Sequence, residues 1–178
     1  MRALLLIDLQ EDFLNPPPLA EQRSELVQAV QRWIDWAREA GLPIIEVRTV
    51  LPRDKSTWAR NMREDDQPVA LEGTEGVERL RELDVEPDLC LEKRRDDAFH
   101  GTDLLDRLHG LEVDELVLAG VVTEACIAMT AATAYAHDLK VSIAEGGVTS
   151  YDQKRHTAAL KWLNEQYRQD VVGPDDLG

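Results

Sequence analysis

Three residues far apart in this chain carry side chains able to share one reaction: Asp8, Lys93 and Cys126. Cys126 lies in Glu115–Thr130, ELVLAGVVTEACIAMT, which opens as a short apolar run, breaks at Gly120 and resumes as a helix-forming segment. The pattern predicts strand, turn and helix with a thiol at the helix start. There, unpaired backbone N–H groups and the positive end of the helix dipole favour the thiolate, the form that attacks a carbonyl carbon. Asp8 closes the apolar run Ala3–Ile7, and Lys93 follows Asp88–Glu92. A carboxylate beside the thiol can take its proton and pass it to a leaving amine. An ammonium beside both holds the carboxylate ionised and lowers the thiol pKa further. The N–H of Cys126 and that of a residue in Val121–Thr123 would then hold the oxyanion. Singly, each residue has an ordinary role, as a small buried apolar side chain, a turn carboxylate or a solvated lysine. Only a fold that gathers them makes chemistry of them.

The elements needed to gather them are legible along the chain. Ala3–Ile7 reads as a central parallel strand, and Leu26, Val30, Trp33, Ile34 and Ala37 recur at helical spacing between Glu21 and Ala40, with Gly41 and Pro43 as the stop. Pro43–Val50 is the second strand. Leu51–Gly76 is polar and aperiodic, a long loop of the kind that carries function. A short helix over Gly76–Leu83 precedes the third strand, Asp88–Glu92, and another helix covers Gly101–Leu108. Leu116–Val121, Thr123–His137, Val141–Ala144 and Asp152–Tyr167 continue the alternation, with Val171-Val172 as a small edge strand. Alternating strands and helices imply right-handed crossovers and a sheet covered on both faces. The expected fold is an α/β protein, a Rossmann-like three-layer α/β/α sandwich around a mostly parallel sheet of five to six strands. Ligands in such sheets bind beyond the carboxyl ends of the strands, where Asp8, Lys93 and Cys126 all fall.

The 178 residues read as one domain, large enough to bury roughly 70% of the surface of the unfolded chain. A net charge of −15 and a pI near 4.6 argue against nucleic acid and anionic membranes as partners, since both would repel it. Two cysteines, Cys90 and Cys126, are too few for a disulfide framework, and Met1-Arg2 leads into an apolar strand rather than a signal-peptide pattern. No apolar run approaches the ~20 residues that cross a bilayer. A globular protein in the reducing cytoplasm is the expectation. The dinucleotide-binding class fails because Asp8-Leu9-Gln10 stands where a glycine-rich turn belongs. A receiver-like signalling module fails on order: its lysine belongs after the fifth strand, whereas Lys93 follows the third.

The chain resembles the isochorismatase-like cysteine hydrolases, the superfamily that includes nicotinamidase and N-carbamoylsarcosine amidohydrolase. The resemblance spans essentially the whole chain and rests on ALLLIDLQEDF, LEGTEGVE, EKRRDDAFHGTDL, LAGVVTEACIAMTAATAYAHDLKV and SYDQKRHTAAL. It implies that Asp8, Lys93 and Cys126 are the acid–base, cationic and nucleophilic members of a catalytic triad. It implies a cis peptide at Val121-Val122 that aims the Val122 N–H at the oxyanion, beside that of Cys126. The implied reaction is thiolate attack on an amide or ureide, release of ammonia or an amine, and hydrolysis of the thioester, with no cofactor. Relatives acting on isochorismate cleave a vinyl ether without a cysteine, so Cys126 favours C–N hydrolysis. An isochorismatase-type ether hydrolase, a nicotinamidase and a catalytically idle scaffold remain the alternatives.

Two departures bear on the substrate. Nicotinamidases carry an Asp-x-His stretch after the second strand that helps bind a metal, and RTVLPRDKSTW has no histidine, so no metal is expected. Arg94-Arg95-Asp96-Asp97 follows Lys93 where relatives tend to carry an aromatic residue and a serine. Phe13, Trp58 and Phe99 are candidate walls for a small planar amide, with core packing as their ordinary reading. Arg48 reads as a solvated strand-end residue, His156 as structural and Cys90 as core. The helix after Cys126 is apolar on nearly every side, through Ile127, Ala128, Met129, Ala131, Ala132, Ala134, Tyr135 and Ala136. One sheet cannot cover all of that, so a homo-oligomer is expected.

Overall fold

Leu4 and Leu6 point to one side of the first strand and Ala3, Leu5 and Ile7 to the other, and both sets are buried. An apolar run without alternation therefore marks a strand covered on both faces. The computed structural model describes residues 1–177. Its strands are β1 (Arg2–Ile7), β2 (Ile44–Thr49), β3 (Leu89–Lys93), β4 (Glu115–Val121), β5 (Lys140–Thr149) and β6 (Val171–Val172), and every neighbouring pair is parallel. The helices are α1 (Glu11–Leu14), α2 (Leu19–Glu39), α3 (Arg60–Glu64), α4 (Leu104–Gly110), α5 (Ala128–Ala136) and α6 (Gln153–Tyr167). No helix among the described residues is long and apolar enough to cross a membrane.

The fold is the α/β sandwich expected. On one face, Leu26, Val30, Trp33, Ile34 and Ala37 of α2 pack on Leu4 and Leu6. On the other, Leu104 and Leu108 of α4 and Ala128, Ala131 and Ala134 of α5 pack on Ala3, Leu5 and Ile7. The sheet order is β3-β2-β1-β4-β5-β6, so the chain builds outward from β1 to β3, then returns to lay β4 on the other side of β1. Order reverses between β1 and β4, and a crevice opens beyond their carboxyl ends. There Gly120 of β4 faces Ile7 at φ +135°, and a Cβ would stand 1.9 Å from the Ile7 carbonyl oxygen. Glycine is required for this close approach, one residue before Asp8.

Four expectations need correction. The helix expected over Gly76–Leu83 is only a single 3₁₀ turn, Glu75–Val77. Beyond it the backbone is claimed by tertiary hydrogen bonds: Leu80 N–H reaches the Leu9 carbonyl, Glu11 N–H reaches the Glu78 carbonyl, and Gln10 pairs with Arg79. The helix expected over Thr123–His137 is split: Cys126 lies inside a wide π-type turn, Thr123–Ile127, and α5 begins only at Ala128. The fifth strand runs on to Thr149, its pairing with β4 interrupted by a register shift opposite Leu118–Gly120. Cys90 is exposed, because β3 is the outermost strand and only alternate residues of it face a helix layer.

Candidate active site

β1, β3 and the turn after β4 deliver Asp8, Lys93 and Cys126 to one place. Asp8 follows β1 in a left-handed conformation, φ +53°, an unfavourable region for a residue with a Cβ. Its Oδ1 accepts hydrogen bonds from the Thr49 N–H at 2.8 Å and the Thr49 hydroxyl at 2.9 Å. Its Oδ2 lies 2.7 Å from Lys93 Nζ, and neither side chain of this pair is exposed. Lys93 crosses the end of β2 to reach it, and its Nζ also donates to Thr49 Oγ1 at 2.8 Å and to the Arg95 carbonyl at 3.0 Å. Cys126 Sγ lies 3.5 Å from the same Nζ.

The charges on this triad are interdependent. Burial pulls the Lys93 ammonium down, but Asp8 and Cys126 outweigh it and leave it above the ordinary lysine value. Burial and then Asp8 push the Cys126 thiol well above the ordinary cysteine value, with Lys93 opposing. The expectation of a depressed thiol pKa is thereby corrected. The thiol is buried beside a carboxylate, in a wide turn two residues before α5 rather than in the first turn of an α-helix. The resting arrangement is a neutral thiol beside a carboxylate–ammonium pair.

Above Cys126 lies a cleft of about 290 Å³. Val122, Ala125 and Cys126 line it at the strand ends, Phe13, Leu51, Met62, Val69 and Tyr151 supply apolar walls, and Thr49, Gln67, Arg94, Arg95 and Asp96 are its polar groups. The Val121-Val122 peptide is cis. A larger hollow of about 570 Å³ surrounds Arg23, lined mostly by ion-paired side chains and by no cysteine, serine, threonine or histidine.

Of the residues singled out in the sequence, Asp8, Lys93 and Cys126 come together, and Val122 and Phe13 line the cleft beside them. Trp58 and Phe99 do not. Trp58 is 2% exposed, its indole N–H tied to the Pro52 carbonyl, and it packs inside its own loop. Phe99 belongs to the core under α4 and α5, with its ring against His137. Arg48 lies 3.8 Å from both Glu46 and Glu78, away from the cleft. His156 Nδ1 meets the Thr123 hydroxyl at 2.8 Å and so anchors the turn that carries Cys126. The sequence does not single out Thr49 or Tyr151, although Thr49 ends β2 and Tyr151 lies two residues beyond β5, at the edge that singles out Asp8.

A family model described as isochorismatase domain matches residues 2–172. The chain is similar to the phenazine biosynthesis protein PhzD of Pseudomonas fluorescens, 29% identical over 90% of this chain and 78% of that protein. It is 28% identical to a maleamate amidohydrolase of Pseudomonas putida over 98% of this chain and 84% of that one. Its backbone resembles the crystal structure of an isochorismatase family protein from Desulfovibrio vulgaris, with a TM-score of 0.88 and 24% identity over 99% of this chain and 95% of that one.

Proposed function

This chain belongs to the isochorismatase domain family, and we propose that within it the protein is a cysteine-dependent hydrolase of a C–N bond in a small amide or ureide. The observation that carries this reading is the line of contacts from Asp8 Oδ2 to Lys93 Nζ, 2.7 Å, and on to Cys126 Sγ, 3.5 Å, at the foot of the cleft. Relatives of the chain include one named for amide hydrolysis. Cys126 is present and poised, whereas ether cleavage by the resemblance needs no thiol.

The chemistry follows from the charges. Because the thiol rests neutral, attack and proton transfer are coupled: as Sγ bonds to the carbonyl carbon, its proton passes to Asp8 Oδ2. The oxyanion is received by the N–H groups of Val122 and Cys126. When the C–N bond breaks, Asp8 returns the proton to the leaving nitrogen, which departs as ammonia or an amine. Water, deprotonated by Asp8, then attacks the thioester, and the C–S bond breaks to release the acid and restore the thiol. Lys93 keeps its proton throughout and balances the charge that moves between Asp8 and Cys126.

The test is release of ammonia or amine from a panel of nicotinamide, carbamoyl amino acids, ureides and aliphatic amides, with isochorismate as the ether control. Turnover of an amide or ureide that Cys126→Ser abolishes without loss of fold is the expected result. Turnover of isochorismate alone, or activity that survives the substitution, would refute it.

A further inference from the structure

Attack at Cys126 needs only a carbonyl carbon, so the groups lining the rest of the cleft bear on what else the substrate carries. The chain has a net charge of −15, yet Arg94 and Arg95 both line this cleft, with the exposed Asp96 beside them. Elsewhere partly buried arginines meet carboxylates of their own: Arg23 is held by Glu11 and Glu82, and Arg2 by Glu115. Arg95 is different. It is partly buried, and its Nη1 donates to the carbonyls of Thr57 and Arg94, but no carboxylate among the described residues pairs with it. Its own carbonyl accepts from Lys93 Nζ, which ties its backbone to the triad. Arg94 pairs through Nη2 with Glu92 at 3.3 Å, while its Nη1 is shut off from water with no hydrogen-bond partner.

Carbonyl oxygens can hold a guanidinium in place, but they leave its charge uncompensated. A partly buried charge of this kind, next to an unfilled donor, is costly unless something completes it. A planar carboxylate fits the guanidinium fork with two parallel hydrogen bonds. Arg94 is matched by Glu92, so it is Arg95 that brings to this cleft a cation with no ion-pair partner among the described residues, a local attraction for an anion on an otherwise acidic protein.

We propose that Arg94 and Arg95 bind a carboxylate of the substrate, so that the amide or ureide attacked by Cys126 is borne by a small carboxylic acid. Half-amides of dicarboxylic acids and N-carbamoyl amino acids share this chemistry. The inference rests on the hydrolase reading above for the identity of the reacting group, but the arginine site is separable from it by experiment.

Binding is measured apart from turnover in Cys126→Ser. Calorimetric titration with succinamate and N-carbamoylglycine, each beside its uncharged methyl ester, reads the contribution of the carboxylate. The acid should bind at least about tenfold more tightly than its ester, in line with a charge-assisted bidentate contact. Arg95→Met and Arg94→Met, each added to that background, should remove most of the preference while the ester's affinity stays put, which also shows that the fold survives. A preference for succinamate alone or N-carbamoylglycine alone assigns the class. Equal affinity for acid and ester, or a preference that outlasts both substitutions, overturns the proposal. Selective acid binding without ammonia release by the unsubstituted enzyme upholds the arginine site and removes the hydrolase reading. Turnover of neutral amides with no acid preference does the reverse.

Discussion

The Thr49 hydroxyl donates to Asp8 Oδ1 at 2.9 Å, reinforcing a bond from the Thr49 N–H to the same oxygen at 2.8 Å. Its single proton is thus committed to the carboxylate, and its lone pair to Lys93 Nζ at 2.8 Å. Oδ2 is left for Lys93 and the thiol. Thr49→Val preserves shape but removes one bond from each charged partner. Hydrogen bonds to charged groups are worth ~1.5–3 kcal/mol, so kcat should fall roughly ten- to hundredfold with a smaller change in KM. Thr49→Ser should recover most of the loss. A rise in KM at constant kcat would assign Thr49 to binding instead.

The raised Cys126 thiol pKa has a measurable sign. Above the ordinary cysteine value of 9.0 the unfolded chain loses this proton while the folded one keeps it. The folded state then binds more protons, so stability falls as pH rises through that value towards the folded pKa. Lys93, raised above the ordinary 10.5, acts in the same direction from a higher starting point. Urea unfolding from neutral to alkaline pH should show this fall, and Cys126→Ser should flatten its first part. Iodoacetamide should alkylate Cys126 of the free enzyme with a midpoint above 9.0; a midpoint below it would mean a thiolate at rest.

Assembly is the third expectation. Along α5, Met129 and Tyr135 are 48% and 53% exposed, and Trp162 of α6 is 45% exposed. Tyr167 bridges the last two, with ring centroids 4.8 Å from Tyr135 and 5.1 Å from Trp162. An aromatic patch of this kind suits a second copy of the chain. Light scattering should give a multiple of 20.1 kDa, and Tyr135→Glu with Trp162→Glu should reduce it to the monomer. A monomer at micromolar concentration in the unsubstituted protein would count against assembly.

Activity should survive prolonged EDTA treatment. Hydrolytic ions take about three protein ligands that converge. No three His, Cys, Asp or Glu side chains among the described residues do so. Behind β2, Asp54 is already engaged with the Ser56 N–H, and the loop over residues 50–76 has no histidine. A large fall in turnover that zinc or manganese restored would return a metal-dependent pocket to consideration.

The triad was legible because one rule, chemistry beyond the carboxyl ends of parallel strands, applies to Asp8, Lys93 and Cys126 alike. Thr49 and Tyr151 obey the same rule, yet a hydroxyl at a strand end is so common that nothing in the sequence separates it from a turn residue. Trp58 and Phe99 show the opposite difficulty. An aromatic residue in a polar loop or near a strand end gives no sign of which way its ring points, and here both turn inward. Cys90 was misjudged because strand position in the sheet is a tertiary fact: the same LCLE would be core in β1 or β4. The helix expected at Gly76–Leu83 lost to Gln10, whose carboxamide donates to the Val77 and Thr49 carbonyls at 2.8 Å each. Local propensity does not report such long-range claims on the backbone.

Lys93 belongs to the outermost strand, while Asp8 stands two strands inward. Edge strands have neighbours on one side only and are among the first parts of a sheet to fray. Detaching β3 would carry the ammonium away while β1, β4 and the thiol stayed in place. On the proposed mechanism, turnover would therefore gauge the margin of the sheet rather than its centre. In a denaturant titration, inactivation should run ahead of the loss of helical circular dichroism and keep step with hydrogen exchange at the Leu91 amide. Enzyme and fold would then die at different concentrations, separated by the strength of a single strand pairing.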